Sequence, residues 1–147
     1  MRAVVTRVSS AAVSIGGIEH ARINSGFLIL LGIAPGDTPD TASRLASKIC
    51  RTRVFEDENH KMNLSLEQAG GELLVVSQFT LYADLKSRRP GFSKAAPPEL
   101  ALPLYETFAE DCRELGFTVK TGEFGADMAV SSVNDGPVTL IFDTDTL

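Results

Sequence analysis

Four apolar residues in an unbroken row, Leu73-Leu74-Val75-Val76, restrict more than any other feature what this chain can fold into. A half-buried strand alternates apolar and polar side chains. A run without alternation, bounded by Gly70-Gly71, reads as a strand covered on both faces. Such a strand needs cover, and two helical patterns can supply it. Thr38 as N-cap and Pro39 at the first helical position open one, in which Ala42, Leu45, Ala46, Ile49, Cys50 and Val54 recur as a single apolar stripe. A second helix lies within Glu99 to Leu115, where Leu104, Phe108, Cys112 and Leu115 share a face and Gly116 can close it. Pro103 belongs in or before the first turn of this helix, because an interior proline costs about 3 kcal/mol.

The remaining patterns are strands. Ala11, Val13 and Ile15 alternate with Ala12 and Ser14. Gly16-Gly17 then allows a tight hairpin, with Ile18 to Asn24 as the return strand. Gly26 to Ile33 is a more buried third strand, ended by Pro35-Gly36. Asp57-Glu58-Asn59-His60 is a polar turn. Phe117 to Lys120, Met128 to Val133 and Val138 to Phe142 are the last strands. A length of 147 residues with 44% hydrophobic residues supports one hydrophobic core. The expectation is one domain, 1–147, of mixed α/β class: a mixed β-sheet or partial barrel with two main flanking helices.

The longest apolar stretch, Phe27 to Ala34, is broken by Gly32 and is too short to cross a bilayer. The first residues lack the apolar region of a signal peptide. Cys50 and Cys112 each sit on an apolar helix face and read as buried free thiols. These features point to the cytosol. A net charge of −5 argues against a general nucleic-acid binder. Between Asp84 and Lys94, however, Lys86, Arg88, Arg89 and Lys94 face one acid, a patch suited to docking one polyanion or simply a solvated loop.

Familiar catalytic kits are missing. There is no G-x-S-x-G elbow and no glycine-rich phosphate or dinucleotide loop. His20 and His60 fall in polar turns, and the two histidines and two cysteines have no zinc spacing. No metal or cofactor is expected. Two places stand out instead. Ser77-Gln78-Phe79-Thr80-Leu81-Tyr82 follows directly from the buried strand, so hydroxyls, an amide and backbone N–H groups arrive at the end of a rigid element. The alternative is a strand whose polar members pair with neighbouring backbone. Asn134-Asp135-Gly136-Pro137-Val138-Thr139 is turn chemistry, either a simple bend between two strands or a corner exposing backbone carbonyls around a Gly-Pro bond.

Taken together, these two motifs closely resemble the signature stretches of D-aminoacyl-tRNA deacylases. Supporting similarity comes from Arg7-Val8, Lys61-Met62-Asn63, Arg89-Pro90, Phe92-Ser93, Thr121-Gly122 and Phe124-Gly125-Ala126-Asp127-Met128. The resemblance implies that family's fold and a homodimer with active sites at the subunit interface. Ser77, Gln78, Phe79 and Thr80 would form each catalytic pocket. Gly136 and Pro137, held cis, would enter from the partner as a chiral gate, with Arg7 bracing them. Phe124 and Met128 would line the adenosine end, and Lys86, Arg88, Arg89 and Lys94 are candidate tRNA contacts. The substrate would be D-aminoacyl-tRNA, with glycyl-tRNA admitted too, because glycine has no side chain to reject. Attack by water, or help from the ribose 2′-hydroxyl, is favoured over a Thr80 nucleophile, for which the sequence offers no activating base. Two departures from the family fall in loops: Lys86 to Phe92 is short, and His60 stands where a turn glycine is common. Rival readings are a sister deacylase of relaxed chirality, a non-catalytic nucleic-acid-binding module, and a small-molecule esterase.

Overall fold

A computed structural model describes residues Met1 to Leu147. Along the chain run β1 (Arg2–Ile15), β2 (Ile18–Ile23), β3 (Gly26–Gly32), α1 (Pro39–Cys50), β4 (Phe55–Glu56), β5 (Met62–Leu64), α2 (Leu66–Ala69), β6 (Glu72–Ser77), a 3₁₀ turn at Phe79–Tyr82, α3 (Pro98–Glu114), β7 (Val119–Thr121) and β8 (Ala129–Asp143). The main sheet has the order β2-β1-β3-β6-β7, and β8 pairs with β1 from off that path. It is mixed: β1 is antiparallel to β2, β3 and β8, whereas β3-β6 and β6-β7 are parallel.

β1 explains the curl. One of its edges is shared, with residues 2–8 pairing to β3 and residues 11–15 to β2, while β8 follows the other edge nearly end to end. The sheet therefore wraps toward a barrel, and the buried strand serves two cores. Leu73 and Val75 join the large cluster under α1 and α3, whose centre includes Phe27, Leu45, Ile49 and Phe108. Leu74 and Val76 point the other way, into a smaller cluster with Val8, Val13, Ile23 and Leu28. The unalternating run is apolar because each side chain is buried, on whichever face it falls.

Thr38 caps α1 as expected, its hydroxyl accepting from the Thr41 amide while the Thr41 hydroxyl accepts from the Thr38 amide. Val54 lies beyond the helix but remains buried. Cys50 of α1 and Cys112 of α3 are buried free thiols that meet with Sγ atoms 3.8 Å apart. No helix is long and apolar enough to cross a membrane.

Two expectations need correction. Pro103 is not in the first turn of α3, because Pro97-Pro98 start that helix earlier and leave Pro103 in its second turn. Its missing N–H would have reached the Glu99 carbonyl; both residues are exposed, so water can serve that carbonyl instead. Nor are Met128 to Val133 and Val138 to Phe142 two strands joined by a bend. All of these residues but Met128 belong to one 15-residue strand, β8, with an irregular pairing register in its middle.

The polar turn at Asp57 to His60 closes the β4-β5 hairpin, which the sequence pattern did not disclose. Hydrogen bonds from the Lys61 and Asn59 amides hold the Asp57 carboxyl below its ordinary range. His60, the only non-glycine residue with positive φ, sits at +58°. A side chain in that left-handed region is strained by about 1–2 kcal/mol, part of which glycine gives back through its freer unfolded chain. His60→Gly is expected to raise unfolding stability by about 0.5–1 kcal/mol in a urea titration; a loss of stability would contradict this account of the turn.

Candidate functional site

A cavity of about 630 Å³ opens where β3 and β6 end, and Leu31, Ile33, Val76 and Ser77 form its floor. Ligands in sheets with parallel strands commonly bind beyond the strands' carboxyl ends. Its walls come from Gln78 and Phe79, from Phe92, from Ala95 to Pro98 at the start of α3, and from Phe124 to Met128. Asp127 is the one ionisable side chain in the lining.

β6 stops because its last ladder step is taken by the Gln78 amide, which donates to the Leu31 carbonyl at 2.8 Å. The backbone then tightens into the 3₁₀ turn. Gln78 Nε2 donates to Thr80 Oγ1 at 2.5 Å, tying the amide and hydroxyl together. The first N–H groups of such a turn have no partner within it, and those of Phe79 and Thr80 find no carbonyl elsewhere in the backbone. Phe79 is 54% exposed and meets Phe92 edge to face, with ring centroids 5.0 Å apart. At the far end of the turn, Tyr82 is buried under the Arg2 guanidinium. Arg2 also donates to the Leu81 carbonyl at 2.7 Å and to Asp143 at 3.0 Å. The Asp145 amide, and to a lesser degree Arg2, hold the Asp143 carboxyl below its ordinary range despite partial burial.

Tyr105 of α3 stiffens the opposite wall. Its hydroxyl donates to the Val75 carbonyl at 2.8 Å, and its ring packs against Phe124 with centroids 5.9 Å apart. Burial pushes this hydroxyl up to about 12, so it remains a neutral donor across the ordinary pH range.

The second motif lies elsewhere in the chain. Asn134 pairs with Val8 and Thr139 with Thr6, so Asp135 to Val138 bulge out opposite Arg7 alone. Gly136–Pro137 is a cis peptide bond at the crest of this corner. All residues from Ala129 to Pro137 are exposed, and neither Gly136 nor Pro137 lines the cavity. Arg7 is only 4% exposed. Its Nε donates to the Asp135 carbonyl at 2.9 Å and its Nη1 to the Val54 carbonyl, with the Asp135 carboxylate 3.3 Å away.

Lys86, Arg88 and Arg89 are exposed on a loop closed by paired amide–carbonyl bonds between Asp84 and Gly91. Lys94 differs from them, because Asp84 lies 3.5 Å from its ammonium group. Phe92 joins this loop to the cavity wall.

Thus Ser77, Gln78, Phe79, Phe124 and Met128 share one cavity and Thr80 is bonded to it, whereas Gly136 and Pro137 stand apart. In the sequence, Asp127 stands out only as a member of the family-like segment Phe124 to Met128, and Pro97-Pro98 do not stand out at all. Phe92 did carry a signal, as an aromatic residue beside a basic run.

Comparison with known proteins places these features in context. The family model described as D-Tyr-tRNA(Tyr) deacylase matches residues 4–143. A D-aminoacyl-tRNA deacylase of Desulfatibacillum aliphaticivorans is 58% identical over 145 residues, covering 98% of this chain and 99% of that protein. One from Chlorobaculum tepidum is 56% identical over 146 residues, covering 98% and 97%. Among solved structures, a c-Myc DNA unwinding element binding protein superposes with a TM-score of 0.92 at 41% identity, covering 97% of this chain and 98% of that one. A probable eukaryotic D-amino acid tRNA deacylase, at 16% identity and a TM-score of 0.84, shares the fold over 96% of this chain and 97% of that one.

Arg7 holds two carbonyls from separate segments, and a charged hydrogen bond of this kind is worth about 1.5–3 kcal/mol. Arg7→Met is expected to lower stability by about 2–3 kcal/mol in urea and to speed hydrogen exchange around Asp135 before the rest of β8. Uniform exchange along β8 would show that Arg7 does not brace the corner.

Proposed function

The chain belongs to the D-Tyr-tRNA(Tyr) deacylase family, and from that membership we propose that it acts in the cytosol as a homodimeric chiral proofreader. It is a D-aminoacyl-tRNA deacylase, a hydrolase that cleaves the ester between a D-amino acid and tRNA. The finer mechanism is carried by one observation: a cavity ending at Ser77 to Thr80 has little acid–base chemistry of its own, while an exposed backbone corner stands unused on the same chain.

The ester carbonyl is held beside Phe79 and Thr80, whose N–H groups stabilise the oxyanion as it forms. Such a donor is worth about 10²–10³ in rate. Water attacks, or the ribose 2′-hydroxyl assists. A covalent role for Thr80 fits less well, since a hydroxyl needs an activating base and Thr80 Oγ1 is engaged by the amide of Gln78. The Phe124 and Met128 wall receives the terminal adenosine, and Lys86, Arg88 and Arg89 attract the phosphates beyond it.

Chirality is judged by the partner's corner. Carbonyls of Gly136 and Pro137 bind the ammonium and fill the direction that an L side chain would need. A D side chain leaves the other way, so many D-residues pass, and glycine passes as well. Selection by exclusion protects correctly charged tRNA. The dimer is supported by the long outer edge of β8, which pairs only with β1 and exposes Val130 and Val133. Such an edge is a template for a second strand, and a twofold pairing would bring each corner to the other chain.

Purified protein incubated with matched D- and L-tyrosyl-tRNA should deacylate the D form and spare the L form. Equal cleavage would favour the relaxed sister type, and binding without cleavage a nucleic-acid module. Thr80→Ala should keep turnover within about tenfold of normal, because it leaves the backbone donors in place; complete loss would restore the covalent route. A Cβ at Gly136 meets nothing nearer than the Val138 amide nitrogen at 4.0 Å. Gly136→Ala should therefore leave the urea midpoint unchanged yet cut D-over-L discrimination about tenfold or more, the ~1.4 kcal/mol scale of one lost contact. Intact discrimination would remove the corner from the mechanism.

A further inference from the structure

Of the 14 Lys and Arg side chains, Arg2, Arg7, Arg22, Lys94 and Arg113 have a carboxylate within 4.0 Å. Most of the others gather at two places. One is the loop bearing Lys86, Arg88 and Arg89. The other is the outer side of α1, where Arg44, Lys48 and Arg51 recur at spacings of four and three and so form one stripe, opposite the buried Ala42, Leu45 and Ile49. Arg53 extends it.

These four cations line three hollows that run into one another. Arg44 and Lys48 share one with Thr144, and Lys48, Arg51 and Arg53 share the next with Ile141. Arg51 and Arg53 continue into a third beside Asn63 and Ser65. Glu67 is the one acidic side chain lining this groove, and Asp40 lies a turn ahead of Arg44 without pairing to it. Arg53 is held by the backbone and side-chain oxygens of Asn63, neutral acceptors that orient its guanidinium and leave its charge uncompensated. The macrodipole of α1 favours cations at its C-terminal end, which suits Lys48 and Arg51. It explains neither Arg44 nor Arg53.

The groove begins at the end of the sheet that carries the cavity. Thr144 is hydrogen-bonded to Met1, while the neighbouring Arg2 and Asp143 are paired and Arg2 holds the Leu81 carbonyl of the 3₁₀ turn. From Arg44 to Arg51 it extends about 10 Å along the helix, room for about three phosphates of one strand. We infer that the α1 groove is a second docking surface for the phosphate backbone of RNA, gripping the body of the tRNA whose 3′ end occupies the cavity. This rests on tRNA being the substrate.

The test compares the full-length protein with an Arg44→Gln, Lys48→Gln, Arg51→Gln variant. All three residues are exposed, so the fold should survive. Uncharged tRNA binding is measured across a salt series. The variant should bind at least tenfold more weakly at about 0.1 M salt, with the log–log salt slope reduced by about 2, as expected for up to three lost phosphate contacts. KM for D-tyrosyl-tRNA should rise with kcat held. Turnover of 3′-O-(D-tyrosyl)adenosine, which carries no phosphate, should match that of the parent. Unchanged tRNA affinity and slope would overturn the inference, as would an equal loss on the phosphate-free ester. So would binding of anionic phospholipid vesicles that the variant loses while tRNA binding stays intact. If the parent cleaves neither ester, the proposed activity fails, and the tRNA-binding comparison still decides for or against the groove.

Discussion

A strand that is apolar on both faces cannot set its own register. Slipping by one residue normally carries polar side chains into a core, and that penalty holds most strands in place. Within β6 the penalty is weak, because Leu73 and Val75 could exchange cores with Leu74 and Val76; it falls only on the strand's ends, where a slip would carry Glu72 or Ser77 into a buried place. Register is held at the two ends. At the start, Gly26 lies so close to Glu72 that a Cβ there would fall 1.8 Å from the Glu72 carbonyl oxygen. At the finish, the Gln78 amide closes on Leu31. A slip of one position would move Ser77 off the cavity floor and turn the 3₁₀ N–H groups away. The placement of the site thus depends on a backbone contact that only glycine allows.

The second motif uses the opposite strategy. Four residues of β8 leave the ladder, and a buried guanidinium takes over the work of the missing pairs. Burying Arg7 would be costly if it were unpaired; here each side of its fork finds a carbonyl. A corner braced from beneath can expose bare backbone on top. In the proposed mechanism, this lets carbonyls rather than side chains discriminate, which suits an enzyme that must accept many different side chains and reject one handedness. It also accounts for the sparse chemistry of the cavity, where donors come from the main chain and Asp127 is the lone ionisable group.

Much of this was legible in the sequence where a local rule decides the outcome. Thr38-Pro39, the stripe from Ala42 to Cys50, the hairpin at Gly16-Gly17 and the doubly buried run all follow from spacing and capping. Failures occurred where distant residues decide. Pro103 is tolerated in the second turn because Pro98 starts the helix earlier and the affected carbonyl faces water. β8 continues through Asn134 to Pro137 because β1 supplies partners on both sides of the bulge, although the residues themselves are turn formers. The polar end of β6 could be located from the sequence, but its turn into a 3₁₀ helix could not, since nothing local distinguishes it from a continuing strand. Phe124 and Met128 were visible only through resemblance, for no pattern in their segment points into a cavity 45 residues away in sequence.

Charge was the least legible property, for the same reason. A contiguous run near Lys86 is easy to see, yet it includes Lys94, whose charge is answered by Asp84 across a bridge. A helical stripe of equal strength is hidden, because Arg44, Lys48 and Arg51 are separated by other residues and the whole chain sums to −5. For a polyanion this distribution matters more than the total. The acidic remainder repels it over roughly a Debye length, about 8 Å at physiological ionic strength, so approach is favoured only where a basic surface faces it. Two such surfaces, one at the cavity mouth and one along α1, would allow fewer bound orientations than either alone. A long nucleic acid would then be presented by its end, where the ester is, and not by its flank.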